Sequence, residues 1–372
     1  MSPDIVLADF FSGCGGTTFG FAEAGIVPAL AIDWDADAAT TFRLNFPETT
    51  VFERDICELG VDEVRDALPM LSQSVTLFAG CAPCQPFAGH RRKTFDQDSR
   101  RFLLLEFLRF VRVLDPELVF VENVPGIQRP STTHGPFAEF LAGLSRTYHV
   151  SYAKISSADY GVPQMRRRLV LLASRLGPID IPAPTHGQAT GRPYSTVREW
   201  IGSLPPITDG QHVPEADSHR AMRLSKLNLE RIRATPEGGD RRDWPKRLWP
   251  PCHRGGFDGH TDVYGRLSWD KPAPTLTTKC ISYSNGRFGH PSQDRALSAR
   301  EAARLQTFPG SFKFAGSLTS QARQIGNAVP VVLAHHFGRH LVDHVAAAHR
   351  TSAAPRGAPA SSERARAARP AA

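Results

Sequence analysis

Residues 80–87 read GCAPCQPF and follow directly on the apolar run VTLFA at 75–79. Cys81 and Cys84 form a CxxC pair, and Pro83 and Pro86 flank the second cysteine. Three chemistries fit: a metal or redox pair, a buried structural cysteine, or a nucleophile presented on a stiff turn. Zinc would need further ligands at short spacing, and the other four cysteines (14, 57, 252, 280) are scattered with no second CxxC. A thioredoxin-like pair wants its second cysteine inside a helix, which Pro86 opposes. Glu122-Asn123 closes the apolar run LVFV and enters a turn at Val124-Pro125-Gly126. A carboxylate there lies at the ligand edge of a parallel sheet, or else it caps the turn. In Gln164-Met165-Arg166-Arg167-Arg168, alternation along a strand points Arg166 and Arg168 the same way. Two such guanidinium groups suit an anion or a base carbonyl, unless they form a solvated basic face. Cys252-His253 with His260 shows no complete set of four metal ligands, so no metal is expected.

A glycine turn, Gly13-Cys14-Gly15-Gly16, follows the strand-like DIVLAD at 4–9 and precedes a helix-compatible segment. That setting suits a nucleotide-like ligand against a helix N-terminus, and the spacing is not the GxGxxG of a dinucleotide site. Asp33 ends the next strand-like run, IVPALAID at 26–33, where a ribose hydroxyl would be held, and Trp34 could stack on a base. The alternative is a plain tight turn of an α/β fold.

These residues need a frame. Further strands are expected at 75–79, 118–121 and 168–173, and helices at 35–46 and 101–114. Strands alternating with helices predict an α/β fold with a doubly wound, mostly parallel sheet. After about residue 175 long periodic runs give way to Pro- and Gly-rich sequence holding Trp200, Trp244, Trp249 and Trp269. This reads as a second, smaller, loop-rich domain at 176–295. Ser298 and Glu301 form a capping box for a helix at 298–307, and 328–347 reads as a closing helix, so 296–350 returns to the first domain, residues 1–175. The Ala/Pro/Ser/Arg tail at 351–372 is expected to be disordered.

The chain has 372 residues and a net charge of +7, unevenly placed. Residues 1–174 hold 16 basic against 21 acidic residues, whereas 175–295 hold 18 against 13. A basic segment on an acidic protein is a footprint for a polyanion. No apolar run approaches the ~20 residues of a membrane span, and the N-terminus lacks signal-peptide features, so a reducing cytoplasmic location and free thiols are expected.

Taken in order, the motifs are DxFSGxGGxxxGFxxAG at 9–25, GxPCQPF at 80–87 with Cys81-Ala82 ahead of the Pro-Cys, ENV at 122–124, QxRxR at 164–168, REAARLQTFP at 300–309 and QIGNAVP at 324–330. Together they strongly resemble the C5-cytosine DNA methyltransferase family over roughly residues 4–345. The resemblance implies a Rossmann-like S-adenosyl-L-methionine-dependent fold in which Cys84 is the nucleophile, adding to C6 of cytosine so that C5 becomes reactive. Glu122 would hold N3 and N4 of the base while protonated or sharing a proton, Arg168 would hold O2, and Arg166 would support the pocket. Phe11, Gly13 and Gly15 would line the cofactor loop, Asp33 the ribose, Trp34 and Asp55 the adenine, and Asn327 would close the pocket. Asp33 stands where many members carry Glu.

Double-stranded DNA is the implied substrate, with the cytosine flipped out of the stack. Gln85 of the Pro-Cys-Gln, the basic Arg91, Arg92 and Lys93 of a closing loop, and Thr275-Leu276 of PAPTLTT would contact it, and 176–295 would be the target-recognition domain. The expected setting is bacterial restriction–modification, with any cognate restriction endonuclease encoded separately and this chain a monomer. A tRNA methyltransferase of the same family and a catalytically silent DNA-binding regulator are the alternatives. The Gln after Cys84 and the long recognition segment favour DNA, and the intact Cys84, Glu122, Arg166 and Arg168 favour catalysis.

Overall fold

The computed structural model describes residues 4–68, 74–83, 102–128, 135–213, 218–254 and 262–353. Cys84, Gln85, Arg91, Arg92 and Lys93 lie outside them, as do residues 354–372. Seven strands form the main sheet: β1 Ile5–Phe10, β2 Val27–Asp33, β3 Thr50–Glu53, β4 Val75–Gly80, β5 Leu118–Asn123, β6 His149–Ser156 and β8 Arg167–Ser174. Their order is β3-β2-β1-β4-β5-β8-β6. β3, β2, β1, β4 and β5 pair in parallel, and β8 runs antiparallel to both β5 and β6. The expectation of a doubly wound, mostly parallel α/β sheet is met. β7 Gln164–Met165 leaves this sheet to pair with β9 Ala273–Pro274.

Central strands are apolar on both faces because helices cover both. Every residue of β1 and β5 is buried. The helices α1 Gly16–Glu23, α2 Ala36–Asn45, α3 Val61–Ala67, α4 Leu103–Leu114 and α5 Pro136–Leu144 follow the early strands. On one face Phe107 and Phe110 of α4 and Phe140 of α5 pack with Phe10 and Phe78 of the sheet. Phe10 stands 5.1 Å from the rings of Phe78, Phe107 and Phe110. The other face is covered by Phe21 of α1 and by Leu333, Phe337 and Leu341 of the last helix, α11 Val331–Ala353. A Cβ at Gly20 would stand 2.4 Å from the Val331 carbonyl, so glycine lets the two helices meet. None of the described helices is long and apolar enough to cross a membrane.

Between sheet and α11 the chain forms short helices, α6 Val197–Ile201, α7 Lys226–Arg233, α8 Pro251–Arg254, α9 Ala299–Leu305 and α10 Leu318–Asn327. The capping box of α9 forms as expected, Ser298 Oγ accepting from Glu301 N and Ser298 N donating to Glu301. Loop-rich backbone has few ladder partners, and buried arginines supply donors instead. Arg266 donates to the carbonyls of Ile232, Thr235, His290 and Gln293, and Arg231 to that of Leu248. Val197, Leu276 and Phe288 share one apolar cluster with Ala302, Phe308 and Ile325, so α9 and α10 pack against the loop-rich part before α11 returns to the sheet.

Candidate active site at the carboxyl edge of the sheet

The strand order brings the turns after β1, β2, β3, β4 and β5 to one edge. After β1, Phe11 takes φ 60° and Gly13 φ 53°. A left-handed non-glycine residue costs about 1–3 kcal/mol, a strain that concentrates where backbone must be aimed. A Cβ at Gly13 would meet nothing within 4 Å, so this backbone faces open space. Gly15 at φ 95° tucks under Phe46, and a Cβ at Gly16 would stand 2.6 Å from the Val329 carbonyl. The QIGNAVP segment, distant in sequence, is thereby placed against the glycine turn.

Asp33 Oδ2 accepts the Gly13 N–H at 2.7 Å, and Oδ1 accepts the Asp35 N–H at 2.9 Å. Burial raises the Asp33 carboxyl above its ordinary range, and each oxygen keeps lone-pair capacity. Trp34 next to it is 72% exposed. Asp55 is exposed and accepts the Cys57 N–H at 2.9 Å, and Asn327 is exposed at the end of α10. An open glycine backbone, a carboxyl anchored to it and an uncovered indole fit a cofactor with a ribose and a flat base.

Beneath the turn, Asp9 Oδ2 accepts from Thr18 Oγ1 at 2.6 Å, while Oδ1 is buried without a hydrogen-bond partner among the described residues. Burial pushes the Asp9 carboxyl from 3.8 up to about 7. The folded state therefore binds this proton more tightly than the unfolded chain, and stability falls as pH rises from about 4 to 7. Asp9→Asn is expected to stabilise the protein at pH 8, on the order of 3–4 kcal/mol, and to have little effect near pH 4. Thermal melts at both pH values check this, and an equal shift at both would remove the buried-proton account.

The segment leaving β4 is described up to Pro83. Asn123 Nδ2 donates to the Ala82 carbonyl at 3.0 Å and Asn123 Oδ1 accepts from Val124 N at 2.8 Å, which ties Ala82, just after β4, to the end of β5. Cys81 Sγ lies 3.8 Å from Thr17 Oγ1. Burial, with Glu122 and Asp9 nearby, pushes the Cys81 thiol well above its ordinary range. Such a thiol is not a thiolate at neutral pH. Cys81→Ala is expected to leave the protein's activity within about threefold of wild type; a loss of several orders of magnitude would show that this thiol takes part in the chemistry.

Glu122 is 6% exposed, and Arg168 Nε lies 2.9 Å from its Oε1. The contact is an ion pair without hydrogen-bond alignment, and Oε1 has no aligned donor among the described residues. β8 pairs with β5 in the register Glu122↔Val170 and Asn123↔Leu169, which sets Arg168 beside the carboxylate. Arg166 goes elsewhere. Its Nη1 donates to the carbonyls of Leu276 at 3.0 Å and Gly326 at 3.2 Å. The two arginines expected to aim at one spot thus have different partners.

Thr275 Oγ1 is bonded to the Met165 carbonyl at 3.0 Å. Leu276 is a correction: its side chain is fully buried in the apolar cluster and has no surface to offer DNA. Sequence reasoning also passed over Asp9, Gln164 and Gln306. The two glutamines sit inside the motifs QxRxR and REAARLQTFP, but the bond between their side chains spans 142 residues and has no local signal.

The model of the C-5 cytosine-specific DNA methylase family matches residues 5–343. The chain belongs to this family. It is a DNA (cytosine-5)-methyltransferase. The Type II methylase M.HgiDII of Herpetosiphon aurantiacus is 42% identical to this methyltransferase over 331 residues, 87% of this chain and 91% of the relative. The Type II methyltransferase M1.HphI of Haemophilus parahaemolyticus is 34% identical, over 88% of this chain and 83% of its own. Among solved structures, a prophage-encoded protein of Escherichia coli described as a DNA modification methyltransferase superposes with a TM-score of 0.71. At 24% identity, over 92% of the methyltransferase chain and 99% of the other, that likeness speaks for the fold.

Proposed function

We propose that the enzyme methylates C5 of a cytosine flipped out of a specific duplex DNA sequence, with Cys84 as nucleophile and S-adenosyl-L-methionine as donor. The observation that carries this is the buried Glu122–Arg168 pair at the end of β5, joined through Asn123 to the turn that leads into Cys84. When bound, S-adenosylmethionine supplies an electrophilic methyl group. Phe11, Gly13, Gly15, Asp33, Trp34, Asp55 and Asn327 are the residues that would hold it. Cys84 adds as thiolate to C6 and makes C5 electron-rich. Glu122 shares a proton with N3, so the ring accepts the added electron pair, and Arg168 holds O2. Once C5 carries the methyl group, its proton passes to a water molecule, the C5–H electron pair re-forms the C5=C6 bond as the C6–S bond breaks, and Cys84 leaves as thiolate while N3 returns its proton to Glu122.

Arg166 holds the Leu276 and Gly326 carbonyls and so keeps the strand bearing Arg168 in place. Residues 176–295 act as the recognition domain between the catalytic parts 1–175 and 296–350, with Gln85, Arg91, Arg92, Lys93 and Thr275 on DNA. Both relatives reported above are named as Type II enzymes, which supports a role as a modification enzyme; a cytoplasmic location, a monomeric state and a separately encoded nuclease belong to the same proposal. The test is bisulfite sequencing of plasmid DNA from a methylation-free host expressing the protein. Protected cytosines in one short context are expected, and none from soluble protein would overturn DNA as the substrate.

A further inference from the structure

Gln164 in β7, Arg166 between the strands and Arg168 in β8 alternate along one stretch of chain, and all three bind residues distant in sequence. Arg168 meets Glu122, and Arg166 meets the carbonyls of Leu276 and Gly326. Gln164 Oε1 accepts the Leu276 N–H at 2.9 Å, and its Nε2 donates to Gln306 Oε1 at 2.9 Å. Gln306 Nε2 donates to the carbonyls of Ile325 at 2.6 Å and Ala328 at 3.1 Å. Both glutamines are fully buried. Each amide has one orientation only. Because Leu276 presents an N–H, Gln164 must turn its NH₂ toward Gln306, which must then turn its own NH₂ toward the carbonyls of 325 and 328. Reversing either amide would set donor against donor in a buried site.

The segment held in this way is the one that touches the glycine turn. Val329 backs on Gly16, and Gly326 packs so closely on the Thr277 carbonyl that a Cβ there would stand 2.2 Å from it. Close-packed contacts of this kind have few intermediate positions.

We propose that Gln164 and Gln306 are positioning residues that couple occupancy of the glycine turn to the setting of Arg168 on Glu122. A ligand that fixes segment 325–329 biases Gln306, then Gln164 and Arg166, and so the strand that carries Arg168. The coupling rests on the reading that an S-adenosyl compound occupies the glycine turn. By linkage it acts equally in both directions.

The test measures DNA binding, with the duplex that bisulfite mapping identifies, in the absence and presence of S-adenosylhomocysteine. In the wild type the compound is expected to tighten DNA binding about 5–150-fold, the usual span of such couplings. In Gln306→Met the factor is expected to fall below about twofold while each ligand alone binds within about threefold of wild type. Gln164→Met breaks the same connection from the other end and leaves Gln306 on its carbonyls, so it serves if Gln306→Met does not fold. An undiminished factor in the folded variant, or no coupling in the wild type, overturns the proposal. Failure of S-adenosylhomocysteine to bind the wild type at all overturns the cofactor reading, and the coupling with it.

Discussion

Cys84→Ser is expected to lower methyl transfer by at least about 10³-fold and to leave S-adenosylmethionine binding within about threefold of wild type. A hydroxyl ionises far less readily than a thiol, so the replacement removes the anion proposed to add to C6. The residues proposed to hold the cofactor belong to the turns after β1, β2 and β3 and to the end of α10, not to the segment that carries Cys84. Cys81 is no substitute, because its partly buried thiol, with Glu122 and Asp9 nearby, is pushed well above its ordinary range. Transfer of a labelled methyl group to plasmid DNA measures the first quantity and calorimetric titration the second. If cofactor binding were lost as well, the cysteine turn would belong to the cofactor site and the nucleophile would have to be sought elsewhere.

Glu122→Gln is expected to retain DNA binding and to lose about 10²–10⁴ in rate, the range of a missing general acid or base. The amide keeps the volume of the carboxyl and an oxygen toward Arg168, so the fold should persist. It cannot share a proton with cytosine N3. Glu122→Ala is a different experiment. It leaves the Arg168 guanidinium, whose side chain is 12% exposed, without its counter-charge. Breaking such a buried pair costs about 3–5 kcal/mol, which a thermal melt would show directly. Single-turnover rates compared with DNA affinity separate the two effects for Glu122→Gln, and a near-normal rate would strip Glu122 of its role.

Much of the fold could be read from short stretches. The runs at 4–9, 26–33, 75–79, 118–121 and 168–173 all appear as strands, because central strands of a covered sheet are apolar on both faces. β3 and β6 were not anticipated. β3 has four residues, and β6, HVSYAKIS, is a half-exposed edge strand whose polar residues hide its period. The closing helix starts near its expected position and runs on to Ala353.

By itself, the sequence determined which candidate groups there are and their order along the chain: a cysteine between prolines, a strand-end glutamate, arginines at alternate positions and a glycine turn, each a local pattern with a local physical reason. Only the tertiary structure decided which of these groups meet. Arg166 reaches across 110 residues to Leu276 and 160 to Gly326, while Arg168 stands beside Glu122. Leu276 turns out to serve the strand through its N–H and carbonyl while its side chain joins the core. Such pairings depend on how sheet, loops and returning helices pack against one another. Hydrogen-bond partners so far apart leave no trace in local spacing, because what selects them is the burial of polar atoms that must be satisfied once the core has closed.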